Sequence, residues 1–391
     1  MRPRYDVVVS GCGLAGAALA RLAAERGARV LVVERRALGA EKVCGEFLSA
    51  DGCAVLERLG LLDELRRRGA PAVTGYEITD LVGRRLSGVL PRGPAGERPG
   101  IGISRGVLDG AVAESARGAG AELLERHEVL APDVQGGRVA ALWVRERGGR
   151  GEPRRIEAPL LVAADGRHSP LARLLHPELC ESRLAGEHAW FGLAAHLAGD
   201  SGGLAGRVAL HLFDGGYAGI VGIEGRRLNL GALVRVRALR ECGGRPERVL
   251  RERILANPAA RASCGDARVV GRFRAVGPLR WGARKPAAAG ALFVGDAAGT
   301  IDPWSGHGMS HALRSAELAL PWLLAAIERG ALVDDLARGF TEEWRRSFGD
   351  VRRRVRRLGL LFERPRLAGL AVGLLRGPAA AWMPRLAAST R

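Results

Sequence analysis

The spacing of apolar and polar residues changes several times along this chain, and each change marks a new kind of element. Residues 5–9 form a short apolar, β-branched run of the sort that makes a buried parallel strand, and residues 14–26 are rich in Ala and Leu with no proline, which predicts a helix. Residues 28–33 repeat the strand pattern, so the chain opens on a strand–helix–strand unit. Further along, residues 75–90 read as a strand and hairpin, 91–100 as a Gly/Pro/Arg loop, 108–117 as a helix and 121–124 as a strand, with strand-like runs at 139–144 and 160–163. From 189 to 236 the pattern alternates and is punctuated by glycine, as in an antiparallel sheet with strands at 190–197, 208–213, 217–223 and 228–236. A helix is expected at 247–255 and a strand at 291–294. After Gly308 the pattern is mostly helical.

Two glycine-rich turns stand on this frame. Gly11, Gly13 and Gly16 join the first strand to the first helix: the first permits a tight turn, the second lets backbone approach a pyrophosphate, and the third lets the helix pack on the strand. Leu14 and Ala15 begin that helix, whose N-terminus offers free N–H groups and the positive end of its dipole to phosphate. The second strand ends in Glu34-Arg35, and an acid about 20 positions beyond the glycines takes the ribose hydroxyls of an adenosine. The second turn, Gly295-Asp296-Ala297-Ala298-Gly299, follows the strand at 291–294 far downstream. A chain that returns to its dinucleotide from so far away points to a flavin rather than a nicotinamide dehydrogenase.

Composition narrows the choice of partners. The 391 residues carry a net charge of +18, yet only Lys42 and Lys285 are lysines, and the arginines are scattered without a nucleic-acid motif, so no nucleic-acid partner is expected. Arg352, Arg353, Arg354, Arg356 and Arg357 form one dense cluster that reads as the solvated face of a helix. The six cysteines, Cys180 among them, show neither CxxC nor His/Cys metal spacing, so no metal and no disulfide framework are expected. With the cofactor strand at the very start and no run long enough to span a bilayer, the expectation is a cytoplasmic protein. The apolar runs at 367–375 and 379–383 leave peripheral membrane contact open, although packing of the tail on the substrate domain is the favoured reading.

Three motifs in order, Gly11–Gly16, the strand ending in Ala164-Asp165-Gly166-Arg167-His168-Ser169, and Gly295–Gly299, resemble the signature set of the flavin-dependent monooxygenase superfamily typified by para-hydroxybenzoate hydroxylase, which includes geranylgeranyl reductases and flavin-dependent halogenases. Val43-Cys44-Gly45-Glu46-Phe47-Leu48-Ser49 is similar to a geranylgeranyl reductase-related branch often tied to secondary metabolism. The resemblance spans about residues 4 to 330. It implies an α/β fold: a Rossmann-like FAD-binding domain with a parallel sheet (1–75, 101–184 and 271–330), an inserted antiparallel β-sheet substrate domain (76–100 and 185–270), and a helical C-terminal segment (331–391).

The resemblance also implies site roles. Asp296 would bind a ribityl hydroxyl of FAD, Arg105 would face the pyrophosphate, Asp165 and Gly166 would support the flavin, and Cys44-Gly45-Glu46 would run along the isoalloxazine edge with Lys42 contributing charge. Gly306, His307, Gly308 and Met309 would aim a helix N-terminus at the pyrimidine ring, where a positive helix end stabilises reduced flavin. The catalytic group is left open among Cys44, Glu46 and His307. Against these roles stand a small packed residue for Cys44, a helix cap near Ser49 for Glu46, and a hydrogen-bonding loop residue for His307. His188, His196, His211 and His311 are further histidines, none in the flavin loop.

Residues 216–221 lack the Trp-x-Trp-x-Ile-Pro segment of halogenases, which argues against halogenation. The leading expectation is an NAD(P)H-dependent monooxygenase acting on a small hydrophobic or aromatic molecule. A double-bond reductase or dehydrogenase is the alternative, and a non-redox flavin-fold protein that binds lipid is the second alternative. Oligomeric state stays open.

Overall fold

A computed structural model describes residues 5–90, 99–136, 138–175, 189–199, 203–279, 284–288 and 290–374. His188, Cys180 and the apolar run at 379–383 lie outside the described residues. The first unit is β1 (Val7–Ser10), α1 (Leu14–Ala24) and β2 (Val30–Glu34), every strand residue buried. Gly16 sets its closeness: a Cβ there would fall 2.0 Å from the Gly11 carbonyl oxygen, so only glycine lets α1 lie so near the turn.

The chain then leaves for the hairpin β3 (Gly75–Thr79) and β4 (Arg85–Val89), and returns through α2 (Arg105–Gly118) and β5 (Glu122–Glu125). Helix α2 starts three residues earlier than its apolar pattern predicts, because Ser104 caps it, its hydroxyl accepting from Val107 N–H. A three-stranded antiparallel sheet follows; its members His127–Gln135 and Arg154–Glu157 are half-exposed and lack the alternation that would betray them in sequence. β6 (Leu161–Ala163) goes back beside β1.

The excursion from 189 to 279 builds the second sheet from β7 (Trp190–Ala198), β8 (Arg207–Phe213), β9 (Gly216–Ile223), β10 (Arg227–Arg235) and β11 (Arg268–Leu279). With the hairpin these make seven strands in the order β11-β7-β10-β9-β8-β3-β4, antiparallel except for β8 beside β3. β11 carries this sheet past the expected boundary at 270; it is an edge strand with most of its length half-exposed, so it shows no apolar period. The helix expected at 247–255 is Pro246–Val249 followed by a wider turn at Leu250–Ile254.

β12 (Ala291–Phe293) completes the first sheet, whose order is Ala287–Ala288, β12, β6, β1, β2, β5, parallel but for the short edge strand. The chain ends in α3 (Gly308–Glu328), α4 (Asp334–Phe362) and α5 (Pro365–Leu374). No helix among the described residues is long and apolar enough to cross a membrane.

The first core packs α1, α2 and α3 on the parallel sheet around Leu19, Leu31, Leu108, Phe293 and Leu313. The second sheet splits its alternating residues: Ala218, Ile220, Leu228 and Leu230 face one cluster, while Tyr217, Leu233 and Leu279 face another that also takes Phe362, Ala368 and Val372 from α4 and α5. The tail thus packs on the second sheet as far as residue 374.

Two neutral histidines are built into this packing. His311 on α3 stands edge-on to Trp344 and Phe348 of α4, with ring centroids 5.3 and 4.4 Å away, and neither of its nitrogens has a partner among the described residues. Burial, with help from Arg352 and Arg314, pushes its pKa down to about 3. Burial and Arg85 push His211, which shares a 2.8 Å hydrogen bond with Thr79 Oγ1, down to about 4. In the unfolded chain both titrate near ~6.5. Folded-state values below the unfolded one give stability that is complete above pH ~6.5 and is lost as the pH falls, because the unfolded chain takes up protons that the native state refuses. Between pH ~6.5 and ~5 each histidine should cost about 2 kcal/mol. Denaturant unfolding at the two pH values checks this, and His311→Leu should remove about half of the loss; an unchanged pH dependence would contradict it.

Candidate functional site

One cavity of about 1320 Å³ runs between the two sheets, from the glycine turn after β1 to the inner face of the seven-stranded sheet. At its first end Gly11 has φ +105, and a Cβ there would lie 2.4 Å from the Ala164 carbonyl oxygen, so the turn rests directly on the end of β6. Gly13 differs: a Cβ on it would meet nothing nearer than Lys42 Nζ at 3.6 Å, which leaves clear space above the start of α1. Glu34 is fixed at the mouth of the turn, accepting from Cys12 N–H at 2.8 Å and from Arg36 N–H at 3.0 Å.

Lys42 and Arg105 meet on one carboxylate. Lys42 Nζ is 2.7 Å from Asp109, and Arg105 grips the same group with two hydrogen bonds of 2.8 Å. Burial alone would raise the Asp109 carboxyl, but Arg105 and Lys42 together hold it below the usual range. Two cations on one carboxylate leave a surplus positive charge beside the glycine turn.

The next wall is the Cys44-Gly45-Glu46 segment. Asn229 Nδ2 donates to the Cys44 carbonyl at 3.0 Å, and a Cβ on Gly231 would come within 2.9 Å of that oxygen, so the segment nests on β10. Burial pushes the Cys44 thiol up, which keeps it a thiol rather than a nucleophilic thiolate. Glu46 is buried at φ +54, a conformation that costs a side-chain-bearing residue about 1–3 kcal/mol. It accepts from Arg105 N–H at 2.9 Å and pairs with His196 Nε2 at 2.8 Å. Glu46 therefore ties the segment to the start of α2 and to β7 rather than capping the helix at Ala50–Arg58. Glu41 stands beside this pair, 3.9 Å from both His196 and Arg274, its carboxyl raised by burial and by Glu46. Glu41, Glu46 and His196 group as metal ligands would, and the Arg274 guanidinium lies 3.9 Å from Glu41.

Opposite lie the other two motifs. Asp165 takes a 3.2 Å hydrogen bond from Leu171 N–H on Oδ2, while its Oδ1 is buried without a partner among the described residues. Gly295 N–H donates to Ser315 Oγ of α3 at 2.8 Å, and Arg167 comes within 3.8 Å of Asp296. Gly306 turns in the left-handed region at φ +68, and the backbone of Gly306, Gly308 and Met309 brings the start of α3 to the cavity. The ring of His307 does not line it: Nδ1 donates to the Ser305 carbonyl oxygen at 2.8 Å and the side chain is packed elsewhere. His307 is thus withdrawn as a proton donor to anything in the cavity. Gly16 also lies off the lining, where it serves the packing of α1.

The far end is a chamber of apolar side chains, among them Ile78, Leu210, Leu233, Val276, Leu279 and Trp304. Tyr217 lines it too; its hydroxyl is buried with no partner among the described residues, and burial raises its pKa well above the ordinary value, so it stays a hydrogen-bond donor. Beside it Gly219 pairs with Gly231 across β9 and β10, and a Cβ on Gly219 would touch nothing nearer than 3.6 Å. Tyr217, Glu41 and Arg274 escape a reading of the sequence as site residues, and His196 is weighed there only as one of several candidate bases outside the flavin loop; their partners lie far along the chain.

The arrangement fits FAD. An acid stands where the adenosine ribose would lie, open space with surplus positive charge where the pyrophosphate would lie, an unpartnered carboxylate oxygen at Asp165, and a helix start at the opposite end.

Residues 4–354 match the FAD binding domain family. The chain is 29% identical over 378 residues to a menaquinone reductase of Mycobacterium tuberculosis, covering 92% of this chain and 85% of that one. It is 27% identical over 352 residues to a digeranylgeranylglycerophospholipid reductase of Methanosphaerula palustris, covering 89% and 83%. Among solved structures, PqsL of Pseudomonas aeruginosa in complex with 2-aminobenzoylacetate superposes with a TM-score of 0.75 at 23% identity, covering 94% of this chain and 99% of that one.

Proposed function

This chain belongs to the FAD binding domain family and is an FAD-dependent oxidoreductase, and from that premise we propose that it adds two hydrogens across a carbon–carbon double bond of a long apolar, isoprenoid-type substrate. The observation that carries the reading is the chamber itself: one continuous cavity leads from the charged cradle to an apolar end lined by the Tyr217 hydroxyl, a buried donor with no partner among the described residues. The names of two similar relatives support it, since a menaquinone and a digeranylgeranyl lipid share an isoprenoid chain. FAD, bound along Gly13, Glu34, Lys42, Asp165, Asp296 and Gly308, would supply the hydride after reduction by NAD(P)H.

The chain's own residues do the rest. Ile78, Leu210, Leu233 and Leu279 exclude water and hold the apolar chain. Tyr217 donates to an oxygen on the substrate. Glu41, which keeps its proton to higher pH than an ordinary glutamate, is the group on the wall that gives a proton to carbon, with His196 and Glu46 behind it. Oxygenation of an aromatic molecule is the second reading, supported by the Tyr217 donor, which also suits an aromatic ketone or phenol.

The test is the mass of the product. With NAD(P)H in air, a prenylated naphthoquinone should emerge two hydrogens heavier after reoxidation of its ring, and Glu41→Gln should slow this at least about tenfold with flavin content unchanged. A product one oxygen heavier would establish the second reading. No product from any prenylated probe would overturn the first.

A further inference from the structure

The outer face of the chamber wall has a surface of its own. Phe362, Ala368 and Val372 close the apolar cluster from inside, and the same stretch of chain exposes Leu360 at 51%, Leu367 at 45% and Leu370 at 61%. Leu367 and Leu370 are three apart on α5 and so share a face. A Cβ on Gly369 would lie 3.3 Å from Asp80, and one on Gly373 3.8 Å from Arg84, which seats α5 against the β3–β4 turn that carries Val82, 66% exposed.

Arginines flank these residues. Arg357, Arg364 and Arg366 are exposed and have no acidic partner among the described residues, unlike Arg353, which pairs with Asp350. Apolar side chains next to uncompensated cations, on a chain of net charge +18, fit one kind of partner. We propose that α5 and the β3–β4 turn dock on an anionic lipid surface, with the leucines entering the headgroup boundary and the arginines on the lipid phosphates. A second copy of the chain would set the same unpaired cations against each other, and a neutral bilayer would leave them without anions. The docked face is the outer side of the wall whose inner side is the apolar chamber, so a lipid-borne substrate and the chamber are separated by little more than one helix. The docking is independent of the reaction assigned above.

Vesicle co-sedimentation of the full-length holoprotein tests this. Binding is expected to phosphatidylcholine vesicles containing about one-third phosphatidylglycerol and to fall at least about tenfold with phosphatidylcholine alone or in roughly 0.5 M salt. Leu367→Glu with Leu370→Glu should weaken it about tenfold or more, and Arg364→Glu with Arg366→Glu should do the same by charge alone. Leu174→Glu, a change at an exposed leucine of the cofactor unit, should leave binding as it is. Flavin content and unfolding temperature report that each variant is folded. No binding to anionic vesicles, binding by both double variants as strong as that of the unaltered protein, or a dimer that the leucine variant dissolves would each overturn the proposal.

Discussion

Replacing Gly13 by Asp should strip the protein of FAD while leaving the polypeptide folded. The reason is the unusual freedom of that position: a Cβ on Gly13 would touch nothing nearer than Lys42 Nζ at 3.6 Å, so the new side chain costs the apoprotein little. It does enter the space the fit assigns to pyrophosphate, and it brings a negative charge that takes up the surplus cation of Lys42. Loss of phosphate contacts together with like-charge repulsion should raise the FAD dissociation constant at least about 100-fold, near 3 kcal/mol. Equilibrium dialysis of refolded apoprotein measures this, and circular dichroism shows whether the fold persists. Gly11→Ala and Gly16→Ala are the contrast, since their Cβ atoms would sit 2.4 and 2.0 Å from carbonyl oxygens, and they should fail in folding rather than in binding alone. Tight FAD binding by Gly13→Asp would mean that the cofactor lies elsewhere.

Gly219→Trp should leave the flavin bound and close the chamber. Gly219 lines the cavity opposite Gly231, with room above it, so an indole would project into the space between Tyr217 and Leu233 rather than into a packed core. Competition for that space should abolish turnover of a long apolar substrate, by at least about 100-fold in kcat/KM, while reduction of the flavin by NAD(P)H continues. Tyr217→Phe is the milder companion. It removes the orphaned donor without changing volume, and it should weaken a quinone or ketone by roughly 1–2 kcal/mol while leaving a hydrocarbon of the same length unaffected. Equal losses of flavin reduction and turnover in Gly219→Trp would place the substrate outside this chamber.

Much of the frame was legible because it is local. The glycine turn, Glu34 and the strand–helix–strand unit that opens the chain follow from residues close in sequence, each with a periodic or conformational reason to be where it is. Lys42 and Arg105 were both named as site residues; that they share Asp109 was not visible, because the three residues meet only when α2 docks beside Lys42. Glu46 shows the limit more sharply. In sequence it sits just ahead of a helix, where a carboxylate suits capping; in the fold a positive φ turns it back to Arg105 and His196, 150 positions away. His307 lay in the right loop, but the carbonyl of Ser305, two residues back, captured its ring. β11 was lost because an edge strand full of arginine carries no apolar period, and with it went Arg274.

The central claim, that this flavoprotein passes two electrons to a carbon–carbon double bond held in the apolar chamber, is met most directly by a single turnover without oxygen. Protein whose flavin has been reduced by light is mixed anaerobically with a digeranylgeranyl glycerol ether, which has no quinone ring to accept electrons by another route, in deuterated water. Return of the oxidised flavin spectrum in proportion to ether added is expected, with a product gaining two deuterium atoms, one through Glu41 and one from the solvent-exchangeable hydrogen of the reduced flavin. Flavin that stays reduced until air is admitted, followed by a product gaining oxygen, would contradict it.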